Sequence, residues 1–193
     1  MQGMTEKLIP IKNDKIIFND RISLPLNKMI GVIGIAPENE EINCGTPGSH
    51  GGNMDNKMIT EKAIIYFPVF VEGALFALGD VHAGMGDGEI GVSGLEISAR
   101  VTVKLEIEKN MHIVNPFLEN ESFISTIASA EKLEDAIYTA VYDMQNILKE
   151  KLSLNVQEAV MLLSIAGNLE ICQVVDPLKT VRFTFPKYVF EKT

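Results

Sequence analysis

The change of hydrophobic period that sets the fold class lies in residues 130–175, which read AEKLEDAIYTAVYDMQNILKEKLSLNVQEAVMLLSIAGNLEICQVV. Over residues 130–152 the apolar side chains recur every three or four positions. Acidic side chains stand near the start of this segment and lysines near its end. The apolar stripe and the charge polarity both predict an amphipathic helix.

A second helix and two strands are predicted after this first helix. Asn155 and Glu158 have the spacing of a capping box, which predicts a helix over residues 156–166. Residues 169–175 and 180–185 have the composition of strands and flank an Asp-Pro turn. The C-terminal part of the predicted fold is therefore a helical hairpin followed by two strands.

The first half of the sequence has the patterns of strands and turns. Residues 16–26 predict a hairpin, and residues 29–36 predict a short buried strand. The apolar run 63–71 predicts a strand covered on both faces, and strict alternation over residues 99–108 predicts a half-exposed strand. Residues 37–55 are rich in turn formers, so we expect a loop without regular structure there.

These patterns together predict an α+β fold that is mainly β. We expect a mainly-β domain over residues 1–128, which carries the functional site. We expect a C-terminal α+β segment over residues 129–193, packed on that domain.

The composition and charge limit the class of protein. Of 193 residues, 46% are hydrophobic and 22% are charged, which is typical of a soluble globular protein. The formal net charge of −9 argues against nucleic acid or an anionic membrane as a partner, since both attract clustered lysine and arginine. The apolar runs are too short for a bilayer-spanning helix. With no secretory pattern at the start, we expect Cys44 and Cys172 to be reduced thiols in a cytoplasmic protein.

The residues with catalytic chemistry concentrate in GDVHAGMGDGE, residues 79–89. If this segment is extended, Asp80 and His82 project to the same face. They could then share a divalent metal, or the aspartate could orient a catalytic histidine. Asp87 and Glu89 repeat the same spacing. The alternative is structural, because aspartate beside glycine is ordinary turn chemistry.

A second candidate segment is SHGGNMD, residues 49–55. Asn53 and Asp55 are also two positions apart, and the asparagine amide could orient a carbonyl group or a metal-bound water. The alternative is a loop in which these side chains hydrogen-bond to their own backbone.

A nucleophilic cysteine is a further hypothesis. Cys44 lies in a glycine-rich loop and could attack a substrate with His50 or His82 as the base. Free cysteines are commonly inert, which makes this hypothesis secondary. The sequence contains neither of the glycine-rich phosphate-binding motifs, so nucleotide binding is not supported.

Several stretches of the sequence resemble the acetamidase/formamidase family. They are HGGNMDNK at 50–57, YFPVFVEGALFALGDVHAGMGDGEI at 66–90, GLE at 94–96, and DMQNILKEKLSLNVQEAVMLLSIAGNLEICQVVD at 143–176. The resemblance extends from about Gly31 to the C-terminus. It implies a jelly-roll-like β-sandwich with additional α+β elements.

The resemblance implies hydrolysis of the C–N bond in short linear amides such as acetamide and formamide, with release of ammonia and a carboxylate. It also implies a divalent metal, with zinc expected for histidine and carboxylate ligands and calcium as the alternative. Asp55, Asp80 and His82 are the expected ligands, and the metal would acidify a water and polarise the amide oxygen. Glu89 would accept the water's proton and return it to the departing nitrogen, and Asp87 is the second expected catalytic carboxylate.

Two residues are expected to contact the substrate, namely Asn53 and Met85. The family motif usually has glutamine at the position of Met85. We therefore expect the specificity or activity of this chain to differ from that of typical members.

The resemblance also implies a partner. Typical members begin with a sizeable N-terminal portion that has no counterpart here, because the resemblance already starts near Gly31. A sandwich without those strands has open edges, so we expect a homodimer or a second chain that supplies strands. The alternative function is a non-catalytic relative that binds a metal or another ligand.

Overall fold

The computed structural model describes residues 6–191 of the chain. These residues form mostly short strands, together with two α-helices and a final 3₁₀ turn at Lys187–Phe190. The strands, β1 to β12 in chain order, are Ile11–Lys12, Lys15–Ile17, Ser23–Pro25, Met29–Gly34, Gly51–Asn53, Ile64–Tyr66, Ala77–Gly84, Leu95–Glu96, Phe117–Glu119, Phe123–Ala130, Asn168–Gln173 and Lys179–Pro186. The helices α1 and α2 are Leu133–Leu152 and Val156–Ala166.

The strands form three antiparallel sheets. The first is the small N-terminal sheet β1-β2-β3, the second has the order β5-β4-β7-β8, and the third has the order β11-β12-β10-β9-β6. This architecture confirms the α+β, mainly-β class. The predicted division at residues 128/129 falls inside β10, which pairs along its whole length with β12. Both predicted parts therefore share one sheet, and the division into domains stays a prediction.

The two helices are those that the sequence predicted. One face of α1 is buried against β10 and β12, through Ala136, Ala140, Met144 and Leu148. Full burial of side chains such as Met144 and Leu148 stabilises the fold by roughly 1.5–3 kcal/mol each. α2 begins with the predicted capping box, in which the Asn155 side chain accepts from the backbone of Glu158 and the Glu158 side chain accepts from the backbone of Asn155. The predicted hairpins at the two ends of the chain are also confirmed.

Two predictions for the first half of the chain were wrong in part. The run 63–71 forms a strand only at Ile64–Tyr66, and this is an edge strand with Ile64 52% exposed. Pro68 lacks a backbone donor, which explains why the strand does not continue. Residues 37–55 are not entirely irregular, because Gly51–Asn53 pairs with Val32–Gly34 as β5.

The prediction of a strand over residues 99–108 was wrong. These residues have no regular secondary structure, and every one of them is exposed. The alternation of apolar and polar residues is that of a strand, but a strand also needs a neighbour to accept its hydrogen bonds. No strand pairs with this segment in the part of the chain that the structure describes.

Neither helix combines the length and the apolar character needed to cross a bilayer, as judged over residues 6–191.

Candidate functional site

The four-stranded sheet brings a histidine and two carboxylates together. Asp80 and His82 both lie on β7, and Glu96 on β8 is the direct cross-strand partner of His82. His82 Nε2 lies 3.3 Å from Asp80 Oδ1 and 3.2 Å from Glu96 Oε1. The expected proximity of Asp80 and His82 is confirmed. Neither ring nitrogen of His82 makes a hydrogen bond to any described residue, although the ring is only 1% exposed.

Two loops add further carboxylates to the same place. Asp55 follows β5, and Glu89 lies in the loop between β7 and β8. One ligand atom from each of Asp55, His82 and Glu89 lies within 4.8 Å of the others, and the same holds for Asp80, His82 and Glu96. We refer to these five residues as the His82 cluster. Its inner members Asp55 and Glu89 are buried, and Asp55 Oδ1 has no hydrogen-bond partner among the described residues.

The local backbone is shaped so that the carboxylates of the His82 cluster converge. Asp55, Asp80 and Glu89 all have positive φ values, of 44°, 50° and 44°. Such a conformation costs about 1–3 kcal/mol for each non-glycine residue and persists only where the surroundings enforce it. Gly31 on β4 leaves room for the side chains, because a Cβ there would collide with Asp80 Oδ2 and Asp55 Oδ1. Three strained residues at one place indicate a functional site.

Burial and mutual repulsion change the ionisation of these groups. Burial, followed by the charges of Glu89, Asp80 and Asp176, raises the pKa of Asp55 to about 9. Burial also raises the pKa of Glu89, Glu96 and Asp176 above the ordinary values of their side chains. The cluster therefore carries more negative charge than its surroundings compensate, and it takes up a proton when no cation is bound.

The residues present fit a divalent metal ion. An unpaired buried imidazole and an unpaired buried carboxylate oxygen are costly when nothing binds them. Neutral imidazole nitrogen and carboxylate oxygen are the ligand types that zinc accepts, and carboxylates alone also suit calcium. The positions that could hold the ion are His82 and the four carboxylates of its cluster.

A cavity of about 300 Å³ opens onto the His82 cluster. Asn53 lines this cavity, and its Nδ2 donates to Asp176 Oδ2 at 2.9 Å, whereas its Oδ1 is buried without a partner in residues 6–191. Cys44 also lines the cavity and is exposed. His50, the other base considered for a cysteine mechanism, is buried, and this burial lowers its pKa.

Two residues with predicted roles lie elsewhere. Both Asp87 oxygens accept hydrogen bonds from Arg182 at 2.8 Å, and Lys57 Nζ lies 2.7 Å from Asp87 Oδ2. Burial alone would raise the pKa of Asp87, but the hydrogen bonds from Arg182 and Lys57 lower it below the ordinary value. Met85 lines a separate cavity of about 420 Å³ together with Lys57 and Asn120. The catalytic role of Asp87 and the substrate-binding role of Met85 stay predictions.

Sequence reasoning gave no role to three residues that the structure places at or next to the site, namely Glu96, Asp176 and Arg182. Glu96 belongs to the GLE motif, so its position in a recognisable segment was an available signal. Asp176 stands directly before Pro177, where an aspartate has the ordinary pattern of a turn residue. Arg182 carried no signal, since a single arginine in an apolar strand has no pattern of its own.

Comparison with known proteins gives one consistent result. The model of the acetamidase/formamidase family matches residues 38–192. The crystal structure of a predicted acetamidase/formamidase from Thermoanaerobacter tengcongensis is 52% identical, with a TM-score of 0.91. The structure of an acetamidase from Bacillus halodurans is 48% identical, with a TM-score of 0.93. A formamidase from Methylophilus methylotrophus is 38% identical over 65 residues.

The relatives are longer than this chain. The similarity covers 94% of this chain and 60% of the Thermoanaerobacter protein, and 95% of this chain and 62% of the Bacillus protein. The aligned region of the Methylophilus formamidase is 33% of this chain and 16% of that protein. The family match spans most of the chain, and the matched region includes the whole His82 cluster. The chain belongs to the acetamidase/formamidase family.

Proposed function

We propose that this chain carries the active site of a metal-dependent amidohydrolase that acts on short linear amides such as acetamide and formamide. The observation that carries the proposal is the buried His82 ring, which faces carboxylates at 3.2–3.3 Å without forming a hydrogen bond to the described residues. The names of the relatives support the substrate class, since they are acetamidases and formamidases.

Asp55, Asp80 and His82 are the proposed metal ligands, and Glu96 is added to them because it shares the Nε2 face of His82 with Asp80. Zinc is the proposed ion, with calcium as the alternative. An ion bound there would withdraw electron density from the amide carbonyl and increase the acidity of water in the cavity.

Glu89 is the proposed proton carrier. Its carboxylate is buried beside Asp55, and burial raises its pKa, which brings proton exchange closer to neutral pH. Glu89 accepts a proton from the attacking water as the water oxygen bonds to the carbonyl carbon. It then delivers this proton to the amide nitrogen while the C–N bond breaks. Ammonia and a carboxylate are the products, and the proton transfer is needed because an amide anion is a very poor leaving group.

Asn53 is proposed to orient the substrate. Its Nδ2 donates to Asp176 Oδ2, and its Oδ1 has no hydrogen-bond partner within the described part of the chain. Asn53 also lines the cavity that opens onto the His82 cluster. The NH₂ group of a primary amide is a donor that matches this acceptor. The cavity of about 300 Å³ has room for amides of the size of formamide and acetamide.

The test is ammonia release from formamide and acetamide by purified protein, with added Zn²⁺ or Ca²⁺ and after treatment with a chelator. The proposal expects turnover that the chelator removes and the metal restores. Saturable metal binding without turnover of either amide would instead favour the alternative function, a non-catalytic metal-binding relative.

The proposed partner is a second polypeptide, either another copy of this chain or a separate chain that supplies strands. The observation that supports it is the segment 99–108, whose apolar side chains Val101, Val103, Leu105 and Ile107 are all exposed. An alternating apolar segment without a neighbour is typical of a surface that pairs with another strand. Light scattering of the purified protein tests this, and a monomer at micromolar concentration that is fully active would contradict it.

A cytoplasmic location is also proposed. Both cysteines are unpaired, with Cys44 exposed and Cys172 buried. Unpaired cysteines are typical of proteins in a reducing compartment. Fractionation of the producing cells tests the location.

A further inference from the structure

One buried guanidinium contacts both of the loops that add Asp55 and Glu89 to the His82 cluster. Arg182 lies on β12, in the five-stranded sheet, and its side chain is 1% exposed. Its Nη1 and Nη2 donate to the two oxygens of Asp87 at 2.8 Å, and its Nε donates to Glu170 at 3.1 Å. Nη1 also lies 3.3 Å from Asn56 Oδ1. Asp87 and Asn56 are both close in sequence to members of the cluster.

The first link leads from Arg182 to Glu89. Asp87, which Arg182 holds through both carboxylate oxygens, stands two residues before Glu89 in the same loop. Gly88 between them is bound to the five-stranded sheet, because its N–H donates to Cys172 O at 2.8 Å and its carbonyl accepts from Val174 at 3.2 Å. The loop therefore cannot move its glutamate without breaking contacts to β11 and β12.

The second link leads from Arg182 to Asp55. Asn56, whose Oδ1 accepts from Arg182 and from the backbone N–H of Met58, is the next residue after Asp55. Asp55 and Glu89 both have a φ of 44°, a conformation that side-chain-bearing residues adopt only under constraint. The contacts of Arg182 supply this constraint next to each of them.

We propose that Arg182, together with Asp87, is a positioning pair that fixes the backbone of Glu89 and Asp55 so that their carboxylates meet at His82. The expected effect of this pair on catalysis rests on the proposed function. The expected effect on the backbone of Glu89 and Asp55 does not depend on that function. It gives Asp87 a role that acts through Glu89, whereas the sequence predicted direct participation in catalysis.

The variants that test the pair are Asp87→Asn, Arg182→Lys and a rescue variant, Asp87→Glu. Asp87 is partly exposed, so its substitution is expected to leave the chain folded even if the Arg182 variant does not fold. Glu119→Gln is the matched control, because Glu119 is also a partly buried carboxylate in an ion pair, with Lys187, and it contacts no member of the His82 cluster.

The first readout is amide hydrogen exchange followed by mass spectrometry. Peptides covering residues 86–92 are expected to exchange at least about 10-fold faster in Asp87→Asn and Arg182→Lys, while peptides from α1 keep their wild-type rates. Unchanged exchange at 86–92, or equal acceleration in α1, would overturn the inference. This readout requires neither metal nor substrate.

The second readout is Zn²⁺ affinity by calorimetry, together with kcat and KM for formamide. Loss of groups that orient ligands typically weakens metal binding or activity about 10–100-fold, and this is expected for Asp87→Asn and not for Glu119→Gln. Asp87→Glu is expected to recover part of the loss. If the wild type neither binds metal nor turns over amide, the proposed function fails, and the exchange data alone then decide on the positioning pair.

Discussion

Two buried polar regions of this molecule differ in how their charges are satisfied. Around Arg182 each charged group has a partner, since the guanidinium contacts Asp87 and Glu170 and Lys57 adds a second cation. Around His82 the carboxylates face each other, and the imidazole nitrogens and Asp55 Oδ1 lack partners among the described residues. Unpaired buried polar groups are costly, and a bound ion, an ordered water or a catalytic role is a common reason for a fold to retain them. We therefore interpret the Arg182 region as support for the structure and the His82 region as the proposed site of ligand binding.

The largest effect is expected for His82→Ala. Removal of the only nitrogen ligand in the cluster should lower amidase activity by more than about 100-fold, since even groups that merely orient ligands cost about 10–100-fold. The melting temperature of the metal-free protein should also fall, because removal of a ring that is only 1% exposed leaves a cavity, so activity is compared at a temperature where both variants are folded. Ammonia assays and thermal melts measure both quantities, and His112→Ala, at an exposed histidine, is the control. Equal activity of the two variants would contradict the interpretation of the His82 region as the ligand-binding region.

The next effect concerns Glu89. Glu89→Gln should lower kcat by roughly 10²–10⁴-fold, because the glutamine side chain cannot accept the proton of the attacking water. Little change in KM is expected. Cys44→Ala should leave kcat near the wild-type value, since the thiol has no part in the proposed reaction. Steady-state kinetics of both variants with formamide provide the check. A large loss of kcat in Cys44→Ala together with nearly unchanged kcat in Glu89→Gln would favour the cysteine mechanism and contradict the proposed role of Glu89.

A loss of stability is expected at the paired region. Arg182→Met removes hydrogen bonds to Asp87 and Glu170, whose side chains are 28% and 35% exposed, while Lys57 stays beside Asp87. The free energy of unfolding should fall by about 1.5–3 kcal/mol, which is typical of hydrogen bonds to charged groups. Urea unfolding measures the change in the free energy of unfolding. Arg100→Met, at an exposed arginine, should change it by no more than about 0.5 kcal/mol. Similar values for the two variants would show that the Arg182 network does not support the fold.

The last expected effect is a dependence of stability on pH. The pKa of Asp55 is 3.8 as an ordinary side chain and about 9 in the metal-free fold. The folded protein therefore binds a proton at Asp55 more tightly than the unfolded chain does. The stabilisation from this proton is complete below pH 3.8, the pKa in the unfolded chain, and it declines with rising pH until it is lost at about pH 9. The melting temperature of metal-free protein should fall over this range, and Asp55→Asn should flatten the decline. Asp143→Asn is the control, because burial also raises the pKa of Asp143. This variant should keep most of the decline in melting temperature with rising pH.

Local patterns predicted the helices and several strands because their information lies within a few residues. The capping box of α2 and the apolar stripe of α1 need no knowledge of the remaining fold. The segment 99–108 shows the limit of local patterns. Its alternation fits one apolar and one polar face of a strand, but a strand forms only where a neighbouring strand accepts its hydrogen bonds. The shortened strand at Ile64–Tyr66 has a similar cause, since its extent depends on the neighbouring strand and on Pro68.

Part of the site was also predictable. Asp80 and His82 were expected on one face because the spacing of two along a strand fixes their directions. The contributions of Asp55 and Glu89 followed from the resemblance, since no local rule joins residues of separate loops. Asp176 and Glu96 were missed because they reach the cluster only through the pairing of distant segments.

Calorimetric titration of Zn²⁺ into the chelator-treated protein decides whether the His82 cluster is a metal site. We expect saturable binding by the wild-type chain, with proton release as Asp55 ionises, and loss of this binding in His82→Ala. Absence of saturable binding to the folded wild type for both Zn²⁺ and Ca²⁺, or undiminished Zn²⁺ binding by His82→Ala, would contradict this expectation.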